Sequence, residues 1–438
     1  MIKRILKIHK IALTHCEGSV FRELAASRTA ADLRSGTFVP PSPKGYTTAA
    51  SKKQPGQFFQ TFRAAPGLLI LFLVLAGALR GYALEDLSLV NTQSISLEGI
   101  DTLSLSYGDD EVILRESGTG DLIIKEYMKI DRSQYYADIS RSAGTVSIRR
   151  GRRPWLYWSW KARAEIYLPA SFRENIRISN SSGIFRAEID LLDYKTIDIN
   201  NSSGAVSLNR LSAETLSIRL SSGDLDIRSA EGNSFISLSS GRLQIGGLSG
   251  SEHRLKTSSG RMRIDTIQGT SVIELSSGGI VIEDLTGNAD MEIKSGTLQI
   301  TTLTGTTHRF KSSSGRTIIE KAQGRIEGEV SSGSLSIENF SGEGSFGLSS
   351  GNLTLYTEEL TGDLRFRLSS GHIILNIPRN IPFNLDAITN SGKVQVTEAG
   401  AEAVQVSGNS TVLRPFGPSP ERTIYARTNS GNVIINRR

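Results

Sequence analysis

The sequence predicts an all-β protein. The expected fold is a single-stranded β-solenoid, a right-handed parallel β-helix with about 18–21 residues per coil. One observation is that Ser-Ser-Gly or Ser-Gly recurs every 18 or 19 residues through the middle of the chain, with a weaker series of glycines halfway between. Another is that apolar and polar residues alternate around each motif, which is typical of strands. A fixed period of about twenty residues indicates stacked coils rather than a globule.

Residues 1–65 form a basic leader that we expect to be disordered. They contain eleven Lys and Arg residues against three Asp and Glu residues, and four prolines between positions 40 and 55. The whole chain has a formal net charge of +6, so the remainder is slightly acidic. Because the basic excess lies outside the repeats, the sequence argues against a nucleic-acid partner.

Residues 66–83 hold one hydrophobic segment, 67–79, flanked by basic residues. Thirteen residues are short for a membrane span, which needs about twenty, but they suit the core of a signal peptide. Small residues at 76–78 or 81–83 offer a cleavage site. The sequence therefore predicts export, with the segment either cleaved or kept as a membrane anchor behind a cytoplasmic basic tail. Its distance from Met1 suggests a true translation start further downstream.

Residues 84–180 are interpreted as an irregular β lead-in and cap, and residues 181–438 as the solenoid repeats with a C-terminal cap. Caps are expected because a bare solenoid end exposes both its core and an unpaired strand edge. Each repeat is expected to hold two short strands separated by glycine turns. Each strand is expected to pair with its equivalent in the next coil.

Apolar residues fall at fixed positions before and after each serine-linked glycine. Around Gly278 they are Ile273, Leu275, Ile280 and Ile282. Since their spacing is two, their side chains share one face and should form the core. The residues expected to stack there include Ile282, Ile300, Leu335, Ile337, Leu353 and Leu355.

The serine-linked glycines are candidate turn residues with a structural role. We expect each glycine to adopt a positive φ, and the serine before it to face inward and bond to the turn backbone. These glycines are Gly183, Gly204, Gly223, Gly241, Gly260, Gly278, Gly296, Gly315, Gly333, Gly351, Gly371 and Gly392.

A lead-in, a strand containing Tyr167-Leu168-Pro169 and the phased Ser-Gly repeats follow the leader in that order. This order resembles the bacterial putative-adhesin family, β-strand-repeat proteins with a domain of unknown function. The resemblance covers roughly residues 95–438. It implies a single-stranded β-helix in the cell envelope, and it brings no catalytic residues with it.

The residues that could support catalysis or metal binding are scattered. Cys16 is the single cysteine, so the fold cannot rest on disulfides or a thiolate site. His253 and His308 are three coils apart, about 14 Å at the strand spacing, which is too far to share a metal ion. The sequence therefore predicts no metal and no cofactor.

Acidic residues also recur on the outer face of successive coils. Opposite charges adjoin at several steps, as in Lys256–Glu274, which suits a stabilising ladder. Like charges adjoin at Glu274–Glu292, Asp265–Glu283 and Glu320–Glu338, where the paired acids of a carbohydrate-active enzyme could lie. No cluster of basic residues completes such a site, so we predict that the protein is not an enzyme.

Residues 149–163 are the most plausible contact site, because basic residues crowd the stretch that holds all three tryptophans. One interpretation is that the tryptophans cap the solenoid. The other is that rings and cations together contact anionic lipid headgroups or an acidic glycan. The candidate contact residues are Arg149, Arg150, Arg152, Arg153, Trp155, Trp158, Trp160 and Lys161.

The sequence thus predicts an exported, non-enzymatic binding or scaffold module of the cell envelope, adhesin-like in kind. Its expected partners are an envelope component, whether glycan or protein, and the membrane surface. The first alternative is the ectodomain of a membrane-anchored sensor or regulator. The second is a carbohydrate-active enzyme, which would need converging acids and a basic residue in a cleft.

Overall fold

The computed structural model describes residues 87–153, 161–398 and 401–438. There the chain is almost entirely β-strand and forms a parallel β-solenoid of about 11 turns, which confirms the predicted fold class. Among these residues no helix is long and apolar enough to cross a membrane. The leader, the hydrophobic segment and the three tryptophans lie outside them.

The strands are numbered in chain order. The N-terminal strands are β1 (Ser88–Ser96), β2 (Thr102–Tyr107), β3 (Glu111–Ser117), β4 (Asp121–Met128), β5 (Asp138–Ser142), β6 (Thr145–Arg149), β7 (Ala162–Pro169), β8 (Asn175–Asn180) and β9 (Ile184–Ala187), with a 3-10 helix, Ser133–Tyr135, after β4. The central strands are β10 (Leu191–Asn201), β11 (Ala205–Leu220), β12 (Asp224–Leu238), β13 (Arg242–Thr257), β14 (Arg261–Leu275), β15 (Gly279–Thr286), β16 (Ala289–Ile293), β17 (Thr297–Ser312), β18 (Arg316–Val330), β19 (Ser334–Leu348) and β20 (Asn352–Leu368). The C-terminal strands are β21 (His372–Ile377), β22 (Phe383–Thr389), β23 (Lys393–Glu398), β24 (Ala401–Ser407), β25 (Ser410–Phe416), β26 (Thr423–Thr428) and β27 (Asn432–Arg437).

Each regular coil has two legs and two turns. The first leg follows the Ser-Ser-Gly turn, here called the serine corner. The second leg follows a turn at the halfway glycine, here called the mid-coil turn. In most coils the strand continues through the mid-coil turn, so both legs belong to one strand of 15–17 residues. Between β14 and β17 the legs are separate, as β15 and β16.

The core follows the predicted pattern. Ile264, Ile282 and Ile300 are in register on adjacent coils, and all three are fully buried. The six residues expected to stack in the core are all at most 2% exposed. Burial of each such side chain stabilises the fold by roughly 1.5–3 kcal/mol. The predicted inward register is therefore confirmed.

The serine corner differs from the expectation in its backbone. None of the twelve serine-linked glycines has a φ in the left-handed region, whereas the mid-coil Gly269 does, at 135°. The corner glycines are needed for a different reason. A Cβ on Gly278 would lie 2.1 Å from the carbonyl oxygen of Gly260 on the preceding coil. Close stacking of successive corners, and not a strained φ, excludes side chains there.

The serines of the corner face solvent, so the expectation that they point inward is wrong. Ser222, Ser240 and Ser259 are all exposed. The corner is held by its backbone: the Ser240 N–H donates to the Ser221 carbonyl at 2.7 Å, and the same bond repeats along the stack. Side chains alternate between the two faces only within a strand, and the alternation is lost at a turn. Extending the strand pattern into the corner therefore assigned these serines to the wrong face.

At the N-terminal end the coils do not stack in chain order. β2 pairs in parallel with β6 and β8, and β3 pairs in parallel with β7 and β9. The coil β2–β3 therefore lies between the later coils β6–β7 and β8–β9. Antiparallel strands close this end, with β5 on β6, and with β4 and then β1 beyond β7.

The C-terminal end repeats this arrangement. β26 lies between β20 and β22, and β27 lies between β21 and β23. Antiparallel β25 and β24 then cover β22 and β23. The expectation that each strand pairs with its equivalent in the next coil holds through the regular coils and is wrong at both ends. At the N-terminal end the first coil lies between two later coils, and at the C-terminal end the last coil lies between two earlier ones.

Candidate functional site

Of the predicted contact residues that the structure describes, Arg149 ends β6, and Arg150, Arg152, Arg153 and Lys161 lie in the connection between β6 and β7, at the N-terminal end of the solenoid. In regular coils a three-residue serine corner joins a second leg to the next first leg. Here a twelve-residue connection, 150–161, takes that place on the outermost parallel coil. The described residues of the connection, 150–153 and 161, therefore lie at the end of the parallel stack.

Arg153 is held inside this connection and is not a free surface cation. Its side chain is 10% exposed, and Asp110 beside it is 2% exposed. The Nε of Arg153 donates to Asp110 Oδ1 at 3.1 Å, and Nη1 donates to the Tyr135 carbonyl at 2.6 Å. A buried charge pair with its hydrogen bonds satisfied fixes geometry, and removal of one partner is costly.

Arg150 is also committed to an ion pair. Its Nη1 lies 3.0 Å from Asp109 Oδ2, and Asp109 also accepts a hydrogen bond from Ser182 of the next corner. The Ser182 hydroxyl, reinforced by the Arg150 guanidinium, lowers the pKa of Asp109. The guanidinium lies directly over Gly108, where a Cβ would come within 2.7 Å of Arg150 Cζ. Arg150 thus caps the end of the column of corners.

Three consecutive acids neutralise three of the basic residues in this stretch. Asp109 and Asp110 pair with Arg150 and Arg153, and Glu111 pairs with Arg163 at 3.0 Å. The sequence carried the signal, since Asp109–Glu111 is a run of three acids upstream of a basic cluster. The pairing was not predicted because the acidic and basic partners are about 40–50 residues apart in the sequence.

Behind the pair Arg153–Asp110 lies a small group of buried polar side chains. Glu126 is 1% exposed and accepts hydrogen bonds from Asn91 Nδ2 at 2.8 Å and from the Ala137 N–H. Burial raises the pKa of Glu126, and it also raises that of Tyr107 with help from nearby carboxylates. The two Glu126 hydrogen bonds tie β4 to β1 and to the segment just before β5.

The candidate contact surface is therefore smaller than the sequence suggested. Arg149, Arg152 and Lys161 are exposed, and no described residue forms an ion pair with any of them. Trp155, Trp158 and Trp160 lie outside the described residues, so only the basic part of the predicted site can be placed. We call Arg149, Arg152 and Lys161 the end cations.

The two repeat histidines are buried at mid-coil turns. His253 and His308 are in register three coils apart, with Ser271 and Ala289 on the coils between them, as predicted. Each Nε2 faces a backbone carbonyl, that of Gln268 at 2.9 Å or Gln323 at 3.1 Å. Within the described chain no three His, Cys, Asp or Glu residues are grouped to hold a metal ion.

Three of the outer-face acids in the predicted like-charge pairs are tied to basic residues: Asp265, Glu283 and Glu274. Arg263 donates to Asp265 at 3.2 Å and also to Glu283. Glu274 contacts Arg254 at 2.6 Å and Lys256 at 3.2 Å, and the Arg254 hydrogen bond lowers the pKa of Glu274. A general acid needs the opposite shift. These acids stabilise the ladder as ion pairs.

A comparison with protein-family models shows which family the chain belongs to. The model described as Toastrack DUF4097 matches residues 100–283, 230–334 and 321–436, three overlapping stretches. The chain belongs to the Toastrack DUF4097 family. This confirms the resemblance drawn from the repeats. The Toastrack matches begin just before β2 and end within β27. The family region therefore includes both coils that stack out of chain order, β2–β3 and β26–β27, here called the displaced coils.

Solved structures similar to this Toastrack protein include several described as putative adhesins. One from Parabacteroides merdae is 12% identical, with 67% of this chain and 97% of that chain covered and a TM-score of 0.28. A putative cell adhesion protein from Clostridium sporogenes is 9% identical, with 80% and 98% covered and a TM-score of 0.20. A putative lipid binding protein from Parabacteroides distasonis is 12% identical, with 80% and 96% covered and a TM-score of 0.21. No curated protein matches the chain.

Proposed function

We propose that this Toastrack protein is a non-catalytic binding module of the cell envelope that works outside the cytoplasm. In this proposal its N-terminal end contacts an anionic lipid surface through the end cations. The observation that carries the proposal is the division of the basic cluster. Arg150 and Arg153 are paired within the fold, whereas Arg149, Arg152 and Lys161 are exposed and unpaired by any described residue.

The position of the end cations supports contact with a membrane surface rather than with a soluble partner. β1, where the described chain begins, lies at the same end, since it pairs with β4 and β4 pairs with β7. Eight residues separate the hydrophobic segment 67–79 from β1. A segment retained in the membrane would therefore keep this end nearest to the bilayer. Each cation near an anionic surface adds about 1 kcal/mol of binding, and salt weakens it.

The test is sedimentation of the protein with phosphatidylglycerol-containing vesicles at low and high salt. The variant Arg149→Ser/Arg152→Ser/Lys161→Ser should lose most of the low-salt binding. A matched control is Arg228→Ser/Lys321→Ser/Arg367→Ser, which removes three exposed cations from the regular coils and should bind as the parent does. Equal binding by the first variant, or equal loss by the control, would contradict the proposal.

A second measurement separates a free module from a tethered one. Mass spectrometry of the mature N-terminus reports whether the hydrophobic segment is removed. A start near residue 79 or 84 indicates a released binding protein. Retention of the segment favours the anchored sensor or regulator, which uses the same solenoid as its ectodomain.

A further inference from the structure

A long shallow groove runs beside the serine corners of five successive coils, far along the chain from the end cations. Its volume is about 840 Å³. It extends from the coil of Ser222 to that of Thr297, four coil steps or about 19 Å at the strand spacing. The groove follows the solenoid axis, so an extended chain would fit it better than a compact ligand.

The groove exists because one side chain is missing from an outward-facing row. The first residues after successive corners are in register in the order Asp224, Arg242, Arg261, Gly279 and Thr297. A Cβ on Gly279 would meet nothing closer than 3.9 Å, and its φ lies outside the left-handed region. The fold therefore does not require glycine at this position. A larger residue there would fill the groove.

Unpaired cations flank this gap along the solenoid axis. Arg261 lines the groove next to Gly279. Arg316 follows Thr297 one coil beyond the groove, three coil steps or about 14 Å from Arg261 along the row. Lys294 lies at the corner just before Thr297. All three are exposed, and none has an ion-pair partner among the described residues. By contrast, Arg242 pairs with Asp224 at 3.1 Å.

The edge of the groove is a row of hydroxyl groups. Ser222, Ser240 and Ser259 line it and are exposed. Their corners are held by backbone hydrogen bonds, such as Ser259 N–H to the Ser239 carbonyl at 2.7 Å, so the hydroxyls are not needed for the fold. They repeat once per coil, at about 4.8 Å. Regularly spaced hydroxyls suit a ligand that itself repeats polar groups along its length.

We propose that this groove binds an extended acidic polysaccharide. Arg261, Lys294 and Arg316 would pair with its carboxylates, and the serine row would exchange hydrogen bonds with its hydroxyls. The groove lining contains no aromatic ring on which a nucleobase could stack, which favours a sugar chain over single-stranded nucleic acid. The site lies apart from the end cations and is independent of the lipid contact proposed above.

The test is binding of polygalacturonate, a polymer of a sugar acid, with dextran and polyglutamate as comparison polymers. The parent should bind polygalacturonate, and should bind dextran and polyglutamate at least tenfold more weakly. Arg261→Ser/Arg316→Ser should weaken polygalacturonate binding about a hundredfold, with about tenfold for each of the two charged hydrogen bonds lost. Gly279→Leu should abolish it without a change of charge, since it fills the groove. Arg177→Ser/Lys321→Ser removes two exposed cations outside the groove and should leave binding unchanged.

The unfolding temperature of each variant shows whether the fold is intact. Parent-like binding by folded Gly279→Leu overturns the proposal, as does equal affinity for polyglutamate, which would reveal non-specific attraction to charge. No binding of polygalacturonate by the parent also overturns it. The groove variants keep the end cations, so they should still bind lipid vesicles. The failure of one proposal is thus distinguishable from the failure of the other.

Discussion

At the residue scale, the two buried histidines show how one neighbouring side chain changes a polar group inside the core. A carbonyl can only accept, so Nε2 carries the proton in both rings and Nδ1 is left as an acceptor. In His253, Nδ1 is 2.9 Å from Ser234 Oγ on the preceding coil. On the coil that precedes His308, the position equivalent to Ser234 is occupied by Ala289. Nδ1 of His308 therefore has no hydrogen-bond partner among the described residues.

Stability should fall in mild acid because of these rings. Burial lowers the pKa of His253 and of His308, with the carbonyl hydrogen bonds opposing the shift. The unfolded chain then binds more protons below about pH 6.5, so the free energy of unfolding is highest above that pH and decreases as the pH falls through it. Urea titrations between pH 5 and pH 8 measure this. Replacement of His308 by Gln should flatten the slope, and an unchanged slope would contradict the assignment.

Ala289→Ser offers a matched test at the same position. The new hydroxyl would face Nδ1 of His308 as Ser234 faces His253, and should add about 1 kcal/mol to the free energy of unfolding at neutral pH. Val272→Ser, on the outward face of β14, provides a hydroxyl with no ring to meet. If both changes have the same effect, the missing partner of His308 is not the cause.

At the element scale, the alternation within each leg should decide the cost of a substitution. Ile282 is fully buried, whereas the next residue, Glu283, is about half exposed and paired with Arg263. Ile282→Asp places an unpaired charge in the core and should cost more than about 4 kcal/mol. Glu283→Ser removes a surface ion pair and should cost less than about 1 kcal/mol. Urea denaturation of both variants is the measurement, and equal costs would refute the inward register.

At the scale of the whole molecule, each displaced coil joins the outermost parallel coil at its end of the solenoid to the regular coils. The coil β26–β27 fills the slot between β20–β21 and β22–β23, so β22 and β23 have no parallel neighbour without it. The glycine column follows the same order. A Cβ on Gly431 would lie 2.5 Å from the Gly371 carbonyl, and one on Gly392 would lie 2.3 Å from the Gly431 carbonyl. The last sixteen residues thus hold the C-terminal cap in place.

Deletion of residues 423–438 should therefore release the cap and leave the regular coils folded. We expect rapid proteolysis and fast amide exchange in residues 378–422, with protection kept from β10 to β19, because each repeat is stabilised mainly by its neighbours. Limited proteolysis with mass spectrometry measures this. If residues 378–422 remain as protected as in the full chain, the inserted coil is not what holds them.

The sequence by itself determined the solenoid, its period and the inward face, because each coil repeats one local pattern. Ile282 and Ile300 could be assigned to the core from spacing alone, and the register of Lys256 with Glu274 followed from equal phase. The tertiary structure decided what depends on distant partners. The Asn-Ser-Gly of 429–431 looks like any other corner in the sequence. The sequence therefore could not reveal that its coil lies between two earlier coils.

The same reason divides the candidate site. Sequence spacing identified a basic cluster, but only the fold brings Asp109 and Asp110 to Arg150 and Arg153 and leaves Arg149 and Arg152 exposed. The corner glycines were also found by sequence and explained by structure, since a clash with the preceding coil exists only once the coils are stacked. Local periodicity encodes which way a side chain faces within a strand. Long-range stacking decides which side chain it meets.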